Sequence, residues 1–156
     1  MRRISFIAEA GERLFDQVTV APADVADFNQ RAAHALKRYI GAQQLIAAGL
    51  TLKYRVDTRT VTGSGVALDQ ATQEKIVISC GNVCGVTIVE DCLGVATPIG
   101  AASKFRDVKL GDTMVKIAEE EYSDASCCSK IFEANKPMLS NPDKIYSGQM
   151  LRMLAP

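Results

Sequence analysis

A change of hydrophobic period around Gly49 constrains the fold of this chain more than any other feature. Residues 24–47 contain no proline and place apolar side chains at helical spacing, and the carboxylate of Asp24 can cap the first turn. Residues 50–56 then alternate between apolar and polar side chains, as a strand does when one face is buried. A helix followed by a half-buried strand predicts an α+β fold.

A hairpin is predicted directly after this strand. Residues 57–59 form a turn, and residues 60–62 favour a short return strand. The flexible sequence Gly63-Ser64-Gly65 is expected to end that strand.

A second helix and a further strand follow the hairpin. Asp69 is placed to cap the helix, and Gly81 is placed to end it in the left-handed conformation. Alternation resumes around Val86 and Ile88. The order helix, strand, strand, helix, strand predicts a sheet with two helices on one face over residues 21–95. Residues 1–20 are expected to pack on this unit.

A second small α+β unit is predicted over residues 104–156. Residues 96–103 are uncharged and rich in small side chains, which indicates a linker between two domains. The expected order of the second unit is strand, helix, helix, strand. These elements are a strand near 105–108, a helix ending at Tyr122, a helix from about Ser126 to Asn135, and a strand near 149–153.

The charge balance and the apolar runs narrow the range of partners. The 156 residues include 18 basic and 18 acidic side chains, so no long-range positive field attracts nucleic acid or an acidic membrane. The apolar runs are shorter than the roughly 20 residues that a membrane-spanning helix needs. Glu9 and Glu12 interrupt the N-terminal apolar stretch before it reaches the length of a signal peptide. We therefore expect a cytoplasmic protein that binds neither nucleic acid nor membranes.

Motifs in both halves of the chain resemble known domains. The second half contains Val108-Lys109-Leu110-Gly111-Asp112-Thr113-Met114, Ala134-Asn135 and Gly148-Gln149-Met150-Leu151, and with these motifs it resembles a LysM domain. The first unit contains Val61-Thr62-Gly63, Gly81-Asn82-Val83 and Gly85-Val86, and with these it is similar to a BON domain. A segment with Ala10-Gly11-Glu12, then BON, then LysM, resembles the bacterial potassium-binding protein family.

The resemblance implies a cytoplasmic, monomeric K⁺ sensor or buffer that has no enzymatic activity and becomes more compact when it binds K⁺. It also implies the ligands, which are the main-chain oxygens of Ile7, Ala10, Gly81, Val83 and Val86. Neutral carbonyl oxygens can replace the water shell of K⁺, and the last carbonyls of a helix have no partner within the helix. K⁺ would be the only cofactor.

The LysM resemblance leaves an alternative, which is binding of peptidoglycan fragments through N-acetylglucosamine. The residues that would contact sugar are Gly111, Asp112, Thr113, Met114, Asn135, Lys136, Pro137 and Ile145. Asp112 or Thr113 could instead cap a helix, and Asn135 could bond to its own loop. Catalysis is not expected, because His34 is the only histidine and is predicted to face solvent on the first helix.

Overall fold

The computed structural model describes residues 2–15, 21–98 and 103–155. These residues form an α+β structure. In chain order the elements are β1 (Arg2–Ser5), α1 (Val25–Ala42), β2 (Ala47–Arg55), β3 (Thr60–Asp69), α2 (Gln70–Gly81), β4 (Ile88–Thr97), β5 (Lys104–Asp107), α3 (Met114–Tyr122), α4 (Cys128–Ala134) and β6 (Met150–Met153).

The strands pair in two sheets. The first has four strands in the order β1-β4-β3-β2, and the second pairs β5 with β6. Strands β3 and β4 run parallel, whereas the other neighbouring strands are antiparallel. The predicted alternation of β2 is confirmed, because Leu52 and Tyr54 are buried while Thr51, Lys53 and Arg55 are exposed.

The predicted hairpin is confirmed, but its return strand is longer than expected. Gly63 lies opposite Leu52 and Ser64 opposite Thr51, so Gly63-Ser64-Gly65 lies inside β3 and does not end it. The expectation of a break was wrong. Pairing with β2 on one side and with β4 on the other holds these small residues in an extended conformation.

Strand β1 was not predicted from the sequence. It pairs with β4 from Arg2 opposite Asp91 to Ser5 opposite Ile88. The guanidinium of Arg2 also lies 3.8 Å from the Asp91 carboxylate. A strand this short shows too little alternation to be recognised, and its position depends on a partner almost ninety residues away.

Helix α1 is shorter than predicted. It ends at Ala42 instead of near residue 47, and Gln44 adopts a left-handed φ of 58° just beyond it. Asp24 lies at the N-cap position, but its side chain makes no capping hydrogen bond with the described residues. A short 3-10 turn at Pro22–Asp24 enters the helix instead.

Helix α2 begins as predicted and ends differently. The carboxylate of Asp69 accepts a hydrogen bond of 2.8 Å from the N–H of Thr72. The prediction that Gly81 adopts the left-handed conformation was wrong, because the residue with positive φ in this loop is Gly85, at 100°. The helix ends at Gly81 and the chain turns toward β4 four residues later.

Two hydrophobic clusters form the interior of the described residues. The larger includes Leu36 of α1, Val61 of β3 and Ile76 of α2. The smaller includes Ile117 of α3 and Leu151 of β6. None of the described helices is both long and apolar enough to cross a membrane.

Strand β6 also packs against α2. Met150 belongs to the larger hydrophobic cluster. The guanidinium of Arg152 donates a hydrogen bond of 2.6 Å to the carboxylate of Glu74, and the N–H of Ser103 donates to the other carboxylate oxygen over 2.9 Å. Both charged side chains are buried, so a buried ion pair joins β6 to helix α2.

The predicted linker 96–103 falls only partly within the described residues. Its first residues, Ala96 and Thr97, belong to β4, and residues 99–102 lie outside the described part of the chain. Residues 16–20 of the predicted N-terminal segment lie outside it as well.

Candidate functional site

Two tight turns from distant parts of the chain lie against each other. In the first turn, residues 7–10, the N–H of Ala10 donates to the carbonyl of Ile7 over 3.2 Å. In the second, residues 83–86, the N–H of Val86 donates to the carbonyl of Val83 over 3.1 Å. We call residues 6–12 the N-terminal loop and residues 81–87 the α2–β4 loop.

Backbone hydrogen bonds join these two loops. The N–H of Gly85 donates to the carbonyl of Ala8 over 2.6 Å, and the N–H of Phe6 donates to the carbonyl of Thr87 over 2.7 Å. Glu12 forms an isolated parallel bridge with Val83. Main-chain groups therefore hold the two loops together.

Glycine is required at the closest approach of the loops. Gly11 has a φ of 110°, and a Cβ atom there would overlap the main-chain carbonyl of Asn82. Glycine is required at position 81 for a different reason, since a Cβ atom there would overlap the ring of Phe6. Gly11 therefore meets both a conformational and a steric demand for glycine.

The five carbonyls named as ligands by resemblance all lie in these loops. The carbonyls of Ile7 and Val83 each accept one hydrogen bond within their turns. Among residues 2–15, 21–98 and 103–155, no backbone N–H donates to the carbonyls of Ala10, Gly81 or Val86. Gly81 and Val86 are buried, and buried carbonyls normally have a partner, so these two oxygens could hold a cation that accepts neutral oxygen ligands.

The ionisable groups around the loops differ from those of a carboxylate-rich site. No group of three or more His, Cys, Asp or Glu side chains in the described part of the chain is placed to hold a metal ion. Burial raises the pKa of Tyr39 to about 12, and the negative charge of Glu12 adds to this rise. Burial likewise raises the pKa of Tyr146, with smaller contributions from Tyr39 and Glu12. Both phenols are therefore neutral at physiological pH.

Tyr54 supports the α2–β4 loop from the sheet. Its hydroxyl donates a buried hydrogen bond of 2.8 Å to the carbonyl of Gly85. Its ring packs against Phe15 of the N-terminal segment, with the centroids 5.0 Å apart. Tyr54 thus contacts the α2–β4 loop and the residues that follow the N-terminal loop.

Asn82 connects the α2–β4 loop to β6, a role that sequence reasoning missed. Its side-chain N–H donates to the carbonyl of Met150 over 2.7 Å, and its side-chain oxygen accepts from the N–H of Met150 over 2.8 Å. Beside it, a Cβ atom on Gly148 would lie only 2.9 Å from the Cβ of Ala10. No local pattern identifies such a pair, because the two partners are 68 residues apart.

The residues predicted to contact a glycan serve several structural roles. Asn135 is fully buried and its side chain bonds to the N–H and carbonyl of Arg152 over 2.7 and 3.0 Å. The carboxylate of Asp112 accepts from the N–H of Lys109, and the hydroxyl of Thr113 caps α3. The rest are exposed Gly111, buried Met114, Lys136 and Pro137 after α4, and Ile145 against the smaller hydrophobic cluster.

One curated protein is similar to almost the whole chain. It is named potassium binding protein Kbp, from Escherichia coli O6:H1 (strain CFT073), and the two sequences are 40% identical over 153 residues. The alignment covers 98% of this chain and 98% of that protein. No family model matches the chain.

Proposed function

This chain belongs to the family of the potassium binding protein Kbp, and from that membership we propose that it binds K⁺. The observation that supports the proposal is the contact between the N-terminal loop and the α2–β4 loop, the two distant segments that carry the proposed ligands. The ligands in this proposal are the carbonyls of Ile7, Ala10, Gly81, Val83 and Val86.

The chemistry of these oxygens suits a monovalent ion. K⁺ is large and weakly polarising, so several neutral carbonyls can replace its water shell, whereas Ca²⁺ and Mg²⁺ favour carboxylates. The carbonyl of Gly81 lies at the C-terminal end of α2, where the helix dipole adds a negative potential. The protein itself would supply position and electrostatics, and no reaction step is involved.

The proposal includes the wider organisation of the molecule. We propose that residues 21–95 act as a BON domain and residues 104–156 as a LysM domain, that the protein is a cytoplasmic monomer, and that it is not an enzyme. Asn82 supports a link between the two parts, because it follows the proposed ligand Gly81 directly and holds Met150 of β6.

Thermal unfolding in matched KCl and NaCl solutions tests ion binding. A ligand that binds only the folded state stabilises it by about 2.7 kcal/mol at one hundred times its Kd. For a chain of this size, the expected rise in Tm is about 5 to 10 °C in KCl, with a much smaller rise in NaCl at equal ionic strength. Equal Tm values in the two salts would contradict the proposal.

Small-angle scattering tests the proposed compaction. Since an ion that bridges the two loops favours the closed form by its differential affinity, we expect the radius of gyration to fall on addition of KCl but not of NaCl. The hydrogen bond from the Asn82 side chain to Met150 of β6 would couple this closure to the second sheet. Identical scattering curves in both salts, together with a K⁺-specific rise in Tm, would support K⁺ binding and contradict the proposed compaction.

A further inference from the structure

An open groove of about 480 Å³ runs between α1 and β2. One wall is the exposed flank of α1, with His34 and Lys37, and the other is β2, with Thr51, Lys53 and Arg55. The strand contributes five consecutive residues from Thr51 to Arg55, so residues from both faces of the sheet line the groove. That pattern indicates that the groove follows the edge of the strand rather than one face of the sheet.

The outer edge of β2 carries backbone groups that no other strand in the described part of the chain uses for pairing. The strand is the last in the sheet order, and no strand of the described residues pairs with its outer side. The N–H of Val56, just beyond β2, points toward α1, because it donates to the side-chain oxygen of Asn29 over 2.9 Å. Along an antiparallel strand, the backbone N–H and C=O groups of successive residues point to opposite edges. The N–H and C=O groups of Tyr54 and Leu52 therefore point to the same outer edge as those of Val56.

The charged side chains that line the groove are all basic. Lys37 and Lys53 are exposed on opposite walls of the groove. Arg55 adds a third positive charge, which Asp57 partly offsets at 3.2 Å. A second copy of this chain would bring the same positive groups against each other, so self-pairing along this edge is disfavoured, whereas an acidic segment is attracted.

We propose that this groove binds an acidic, extended peptide segment of another protein, which adds to the sheet as a fifth strand beside β2. The outward N–H and C=O groups of Leu52 and Tyr54 hydrogen-bond to the peptide backbone. Carboxylates of the peptide face Lys37 and Lys53 and fix its position. The groove volume lies within the range of ordinary binding clefts.

The affinity test uses a labelled, capped heptapeptide of alternating glutamate and valine, with a lysine and valine peptide of equal length as the charge control. Fluorescence anisotropy with the full-length protein is expected to detect the acidic peptide only. Reversal of both groove charges, Lys37→Glu with Lys53→Glu, should weaken its binding at least about tenfold. The matched variant Lys109→Glu with Lys144→Glu changes two exposed lysines elsewhere and should leave the affinity unchanged.

Amide hydrogen exchange tests the strand geometry independently of charge. On saturation with the acidic peptide, exchange at Leu52 and Tyr54 should slow by about tenfold while Lys53, whose N–H faces β3, is unaffected. Equal binding of the two peptides, equal losses in both double variants, or uniform protection along β2 would overturn the proposal. So would a dimer in sedimentation that the groove variants dissociate, because the occupant would then be a second copy.

Discussion

Replacing Gly11 by alanine is expected to reduce the K⁺-specific rise in Tm to half or less. Alanine tolerates a φ of 110° poorly, and its Cβ would overlap the Asn82 carbonyl, which is backbone and cannot rotate away. The N-terminal loop must therefore move from the α2–β4 loop, and the carbonyls of Ile7 and Ala10 move with it. We expect at least a tenfold loss of K⁺ affinity by calorimetry and a loss of about 2 kcal/mol in the free energy of unfolding.

Gly111→Ala is the matched control for this variant. Gly111 also has a positive φ, 86°, but a Cβ atom there would meet nothing within 4 Å. The substitution should therefore weaken folding by about 1 kcal/mol through backbone strain alone and leave K⁺ affinity unchanged. If Gly11→Ala bound K⁺ as tightly as Gly111→Ala, the N-terminal loop would not supply ligands.

Replacing Glu74 by alanine is expected to have the largest effect on stability. The substitution leaves the Arg152 guanidinium buried without its carboxylate and deprives the N–H of Ser103 of its acceptor. Loss of one partner of a buried pair costs about 3 to 5 kcal/mol, which urea unfolding would measure. The double variant Glu74→Leu with Arg152→Met removes both charges and should lose much less. An equal loss in the single and double variants would refute a dominant role for the unpaired charge.

The same ion pair predicts a pH dependence. Burial would raise the pKa of the Glu74 carboxyl group, but hydrogen bonds from Ser103 and Arg152 outweigh burial and hold the pKa below its usual value of 4.5. The pair therefore contributes its full stability above the pKa of the unfolded chain and loses it as the pH falls through the lower folded pKa. The difference in unfolding free energy between the wild type and the double variant should shrink from pH 6 toward pH 3.

Local patterns were sufficient to predict many elements of this fold. The alternation at Leu52 and Tyr54 identified β2, and the Asp69 carboxylate identified the start of α2, because both signals come from neighbouring residues. The predictions that failed concern residues whose conformation depends on contacts with distant parts of the chain. Gly63-Ser64-Gly65 has the composition of a break, yet pairing with two strands keeps it extended.

The candidate site could be predicted only in part for the same physical reason. The sequence, through its resemblance to a family, named carbonyls in two segments, and the structure places those segments against each other. The structural roles of Asn82 and Glu74 were missed, because their partners Met150 and Arg152 lie 68 and 78 residues away and no spacing rule spans that distance. Contacts between distant segments depend on the packed fold and not on local preference.

The hydrogen bond from Tyr54 to Gly85 has a spectroscopic consequence. The chain has no tryptophan and only four tyrosines, so phenol emission is not masked by indole. A shift of the Gly85 carbonyl changes the environment of one of those phenols directly. The protein thus carries an intrinsic optical probe at the loop, which requires no label.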